Sequence, residues 1–144
     1  MKVRDLIQSR QEVFSIADST PVHEAARYLR EKRVRAVGVL DNQGALAGIV
    51  SQSDISEKVA AENKCPAWMR VSEIMSTELV TVTPETVLED CLRLMDQHGI
   101  FHLLVLDDKA GFRGLISAKD LLRLTADDHK ARADILEAFV FPQH

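Results

Sequence analysis

Apolar residues recur along the chain in two alternating periods. Val22, Ala25, Ala26 and Leu29 stand at i, i+3, i+4 and i+7, the stripe that one helix face presents to a core, and Leu88, Cys91, Leu92 and Met95 repeat it. An unbroken apolar run follows each stripe: Ala36, Val37, Gly38, Val39, Leu40 in one place and Leu103, Leu104, Val105, Leu106 after His102 in the other. Runs this short suit strands buried on both faces. Turn residues close them, at 41–44 and 107–111. Short strands are predicted ahead of the helices, near 13–16 and 79–82. Final strands end at Ser51 and Ser117, where second helices start. Thr20 before Pro21 reads as an N-cap with proline at the first helical position, and Thr86 with Glu89 reads as a capping box. Each half is therefore β-α-β-β-α, and the fold class is α/β (α+β).

Residues 13–60 align with the second half of the chain without a gap. A shift of 66 positions carries Thr20 onto Thr86, Arg27 onto Arg93, Asp41 onto Asp107, Gly48 onto Gly114, Ser51 onto Ser117 and Asp54 onto Asp120. The opening of each half repeats at a shift of 68: Met1-Lys2-Val3-Arg4-Asp5-Leu6 resembles Met69-Arg70-Val71-Ser72-Glu73-Ile74. The organisation that follows is a first repeat over 1–62, a linker over 63–70 holding Pro66 and Trp68, a second repeat over 71–126, and a tail over 127–144. A half of about 65 residues is marginal alone, because it buries too little of its unfolded surface. Two such halves covering each other's sheet faces make a pseudo-symmetric pair, sheet to sheet, with a cleft expected along the seam.

Composition narrows the function. With 18 basic against 22 acidic residues the net charge is −4, whereas a general nucleic-acid binder carries a basic excess. The two cysteines, Cys65 and Cys91, form no disulfide framework and fit a reducing compartment. The start has no signal-like apolar stretch and no run is long enough to span a bilayer, so a cytoplasmic protein is expected. Glycine-rich phosphate loops are absent, the five histidines have no ligand-like spacing with the cysteines, and no nucleophile elbow appears. No catalytic residue and no metal site are expected.

Two stretches carry candidate chemistry: Gly48-Ile49-Val50-Ser51-Gln52-Ser53-Asp54 and Gly114-Leu115-Ile116-Ser117-Ala118-Lys119-Asp120. Each puts Ser-x-x-Asp at a strand-to-helix junction. One reading is structural, since this spacing is a helix capping box. The other is functional: free helix N–H groups and a serine hydroxyl welcome phosphate, and a carboxylate matches the vicinal hydroxyls of a ribose. The two readings are compatible, because a carboxylate has lone pairs to spare.

The repeat layout and the paired Gly-x-x-Ser-x-x-Asp stretches resemble the cystathionine-beta-synthase (CBS) domain family, over the chain up to about residue 126. The resemblance implies a non-enzymatic tandem pair that binds AMP, ADP, ATP or S-adenosylmethionine, with no obligatory cofactor, and that regulates a partner. It implies ribose-binding roles for Asp54 and Asp120, with Ser51 and Ser117 beside them. It pairs Asp120 with Phe14 and Val34, and Asp54 with Val80 and Ile100, as apolar walls for the base. Arg35 and His102 occupy or adjoin the place of the family's phosphate ligands, unequally: Arg35 aligns with Phe101, and His102 with Ala36. Lys32, Arg33 and Arg35 also read as a solvated cluster at a helix end. Where many members carry a second-strand proline, this chain has Gly38 and Leu104. A homodimer acting on a separate protein in trans is expected; the alternative is a structural or adaptor protein with no nucleotide ligand. In the tail, Ile135, Leu136, Phe139 and Val140 fall at helical spacing and predict a packed helix.

Overall fold

The computed structural model describes residues 1–124; the tail stripe read from the sequence lies outside the described residues. Two compact units form, and they are not the two sequence repeats. One holds residues 13–79, and the other joins residues 1–12 to residues from 80 onward. The repeats at 1–62 and 71–126 are thus units of sequence, and each lends its opening segment to the other's packing unit.

In the unit of residues 13–79, strand β1 (Ser15–Ala17) leads to helix α2 (Val22–Lys32), strands β2 (Ala36–Leu40) and β3 (Leu46–Ser51), and helix α3 (Gln52–Ile55), which continues as a π-helical turn over Ser56–Ala60. The second unit starts with helix α1 (Val3–Ile7), then holds β4 (Thr81–Val82), α4 (Leu88–His98), β5 (His102–Asp107), β6 (Gly111–Ser117) and α5 (Ala118–Leu124). Each unit carries one three-stranded sheet, ordered β1-β2-β3 and β4-β5-β6. The first pair in each sheet is parallel and the second antiparallel, with a register shift at Val39/Leu40 and again at Val105/Leu106. The β-α-β-β-α expectation holds in both. The central strands are the buried ones: Ala36 to Val39 in β2 and Leu103 to Val105 in β5 are covered, as their unbroken apolar runs require.

The helix stripes fill the cores as spaced. Val22, Ala25 and Leu29 pack with Val37, Val39 and Val50; Leu88, Cys91 and Met95 pack with Leu103, Val105 and Ile116. The lent segments complete both cores. Val71 and Ile74 are 0% and 2% exposed in one, Val3 and Ile7 0% and 6% in the other. Burying an aliphatic side chain of this size stabilises by roughly 1.5–3 kcal/mol, so these segments are structural parts of the unit each enters.

The expected caps of the first helices are not the observed ones. Pro21 and Val87 stand at the N-cap positions, with no side-chain cap. The first helical N–H is met by main chain instead: Val22 donates to the Met69 carbonyl at 2.9 Å and Leu88 to the Met1 carbonyl at 3.1 Å. In return Val71 donates to Thr20 O at 2.8 Å and Val3 to Thr86 O at 2.9 Å. Thr86 spends its hydroxyl on the Thr83 N–H, 3.0 Å away, and so closes a turn rather than a helix end. Once a distant carbonyl supplies the acceptor, a side-chain cap is redundant.

Candidate ligand-binding site

Ser51 and Ser117 end β3 and β6, and each caps the helix that follows. At the first station Asp54 Oδ2 accepts the Ser51 N–H at 2.9 Å and the Ser51 hydroxyl at 3.1 Å, while the Asp54 N–H donates back to Ser51 Oγ at 3.2 Å. At the second, Asp120 Oδ2 accepts the Ser117 N–H at 2.8 Å and the Asp120 N–H donates to Ser117 Oγ at 3.1 Å. Both reciprocal capping boxes read from the sequence are formed.

Each carboxylate also meets a cation that the sequence reading did not single out. Lys58 Nζ lies 3.0 Å from Asp54 Oδ1 and donates to the Ile74 carbonyl at 2.8 Å. Arg10 Nη2 lies 3.2 Å from Asp120 Oδ2, and its Nη1 donates to the Leu115 carbonyl. Both cations therefore tie a lent segment to a Ser-x-x-Asp station, from opposite directions: Lys58 reaches from the helix to the segment, Arg10 from the segment to the strand and helix. The Asp-x-x-x-Lys spacing on one helix face was a readable signal for Lys58. Nothing local marked Arg10, which sits 110 positions from its partner. Exposure separates the stations. The Asp54 side chain is 12% exposed, against 29% for Asp120.

The remaining candidates divide by unit. Phe14, Val34 and Arg35 lie in the unit that carries Asp54; Val80, Ile100 and His102 lie in the unit that carries Asp120. Phe14 stands edge-on to Tyr28 at 6.3 Å, and Lys32 Nζ lies 5.2 Å from the Phe14 ring and 5.7 Å from the Tyr28 ring. This aromatic–cation corner has no equivalent in the second repeat, where Val80, Leu94 and His98 align. Val34 packs partly buried on one core, Val80 and Ile100 on the other. Arg35 is exposed just before β2, and its carbonyl accepts the Gln52 N–H at 2.9 Å. His102 opens β5 directly across from Ser117. Among the described residues no three His, Cys, Asp or Glu side chains gather as a metal set, and no helix is long and apolar enough to cross a membrane.

Comparison with known proteins matches these features twice over. The CBS domain family model matches residues 3–61 and 71–127. The CBS domain-containing protein CBSX3, mitochondrial, of Arabidopsis thaliana is 32% identical over 83% of this chain and 59% of its own length, so the chain spans somewhat over half of that relative. The CBS domain-containing protein YhcV of Bacillus subtilis is 34% identical over 76% of each chain. A homoserine O-acetyltransferase of Methanococcoides burtonii matches over only 22% of its length. Among solved structures, a protein with CBS domains from Burkholderia ambifaria superposes with a TM-score of 0.81 at 28% identity, covering 89% of this chain and 96% of that one. The CBS domain pair of protein MJ0100, solved in complex with 5′-methylthioadenosine and S-adenosyl-L-methionine, superposes at 0.76 with 24% identity, over 86% of this chain and 98% of that one. With both repeats matched and two sheets built to one plan, the chain belongs to the CBS domain family and is a tandem pair of its repeats.

Proposed function

We propose that this chain is a non-enzymatic regulatory module that binds an adenine-bearing ligand, AMP, ADP, ATP or S-adenosylmethionine, through Asp54 and Asp120. The ligand acts as a signal and not as an obligatory cofactor. In this reading the carboxylates take the ribose hydroxyls, with Ser51 and Ser117 beside them. Arg35 and His102 serve the phosphates, and Phe14, Val34, Val80 and Ile100 supply apolar walls for the base. The module works in the cytoplasm as a homodimer and transmits occupancy to a separate protein partner. A ligand shifts such an equilibrium only by its differential affinity for the two states.

One observation carries the reading: a serine and an aspartate are assembled twice, at one spacing, at the ends of equivalent strands, each aspartate beside a cation. The adenosine-derived ligands of the MJ0100 pair support the ligand class. A structural or adaptor role is the rival. It is favoured by the burial of Asp54, which is 9% exposed with both oxygens engaged.

Thermal melts with AMP, ADP, ATP, S-adenosylmethionine and GTP separate the two. A ligand at 100 times its dissociation constant stabilises by about 2.7 kcal/mol, a midpoint rise of roughly 5–10 °C at this size. The rise should shrink in Asp54→Ala, Asp120→Ala or both. No rise with any ligand favours the adaptor, and a rise that survives both substitutions moves the site elsewhere.

A further inference from the structure

The two stations carry different cations, and the difference bears on which ligands each accepts. At the shift that relates the opening segments, Arg10 aligns with Glu78, so the second unit receives a guanidinium where the first receives a carboxylate. On β3 the Ile49 main chain pairs with Ser76, its N–H donating to Ser76 O at 3.0 Å and its carbonyl accepting the Ser76 N–H at 2.9 Å. On β6 the equivalent carbonyl, that of Leu115, takes the Arg10 guanidinium, and the same group reaches Asp120. Arg10 and Asp120 are 32% and 29% exposed, so the pair is open to an incoming molecule, unlike the mostly covered Asp54.

We propose that Arg10 determines the ligand specificity of the Asp120 station, selecting molecules that carry a vicinal diol together with a negative charge. The inference rests on the diol-binding reading of Asp120. A bare carboxylate that grips a diol repels a phosphate attached to the same sugar. A guanidinium at 3.2 Å cancels that repulsion. It also has five N–H donors, of which the contacts to Leu115 and Asp120 use two, and its planar fork suits phosphate oxygens. A cationic ligand gains nothing from this arrangement and meets like charge. Arg10 thus acts in two ways, by neutralising Asp120 and by offering donors to the ligand's anionic group. It is supplied by the lent segment, so the sequence repeat that contains Asp120 does not contain the residue that tunes it.

Isothermal titration of the full chain with AMP, adenosine and S-adenosylmethionine tests the assignment in wild type, Arg10→Gln and Arg10→Lys. Wild type should bind AMP about 10- to 100-fold tighter than adenosine, the size expected for a charge-assisted phosphate contact. Arg10→Gln should cut that ratio at least about 3-fold by weakening AMP alone, and Arg10→Lys should restore most of it. In wild type the ratio should also fall as sodium chloride is raised, a readout that needs no variant. A ratio unchanged in Arg10→Gln, or parallel losses for AMP and adenosine, would overturn the role of Arg10 while leaving nucleotide binding intact. Absence of binding by all three ligands in wild type would overturn the diol reading and this inference with it.

Discussion

The glycine that opens each Gly-x-x-Ser-x-x-Asp stretch invites a specific test at Gly48. A methyl group there would sit 2.7 Å from Met75 Sδ, 2.9 Å from Met75 Cγ and 2.9 Å from the Ser76 carbonyl oxygen. Ordinary contact begins near 3.4 Å, so both neighbours must retreat by about half an ångström. The thioether can rotate away. The carbonyl cannot move alone, because it is held by the Ile49 N–H at 3.0 Å and its residue returns a hydrogen bond to Ile49 O at 2.9 Å. Overpacking of this kind costs roughly 1–3 kcal/mol, and loosening that bridge adds about 1 kcal/mol. The lower backbone entropy of alanine in the unfolded chain returns up to ~1 kcal/mol. Gly48→Ala should therefore lose about 1–3 kcal/mol, a drop of roughly 3–10 °C in Tm at this size. Calorimetry measures it, and hydrogen exchange should show faster opening at the Ile49 and Ser76 amides. Adding Met75→Ala should not restore the melting point, because the carbonyl clash remains. A Gly48→Ala protein that melts with wild type, or full rescue by Met75→Ala, would refute the argument.

Other outcomes follow from the same geometry. Arg33 ends α2 in the left-handed region at φ 58°, where the equivalent Gly99 sits at φ 64°; Arg33→Gly should stabilise by about 0.5–1 kcal/mol and Gly99→Ala destabilise by about 1 kcal/mol in denaturant melts, and equal signs would contradict this. Cys65 is exposed and Cys91 buried, so a thiol reagent at mild pH should label one cysteine quickly and the second only as the fold opens. Burial, aided by the Asp90 carboxylate, pushes the Cys91 thiol up to about 11 from 9.0; its contribution to stability is full below pH 9 and fades as pH rises through 11, by roughly 2–3 kcal/mol, which Cys91→Ser should abolish in a pH series. A hydrogen bond from Lys2, with the Arg4 charge beside it, holds the Glu85 carboxyl below its ordinary 4.5. That contribution is present above pH 4.5 and lost as pH falls through the lowered value; an NMR titration finding Glu85 at its ordinary value would remove it.

The motif glycines also mark where the sequence stops being informative. Gly48 is required by the approach of Met75 and Ser76, whereas its counterpart Gly114 has φ 112°, a conformation side chains rarely adopt. The same letter at the same place in a repeat answers two different physical demands.

From the amino acids alone came the β-α-β-β-α elements of each half, the twofold plan and both Ser-x-x-Asp stations, though not the short helix α1. Helix stripes, apolar runs and capping boxes depend on residues within a few positions of one another, and a repeat at constant spacing reports them twice. Tertiary structure decided what depends on long separations: that residues 1–12 join the unit from 80 onward, that 69–76 join the unit of 13–62, and that Met1 and Met69 carbonyls take the helix N–H groups assigned to Thr20 and Thr86. It also decided that Asp120 meets Arg10 while Asp54 meets Lys58. A lent segment of a dozen residues carries too little pattern to announce where it docks; the choice is made by the apolar gap it fills and the unpaired main-chain groups it satisfies.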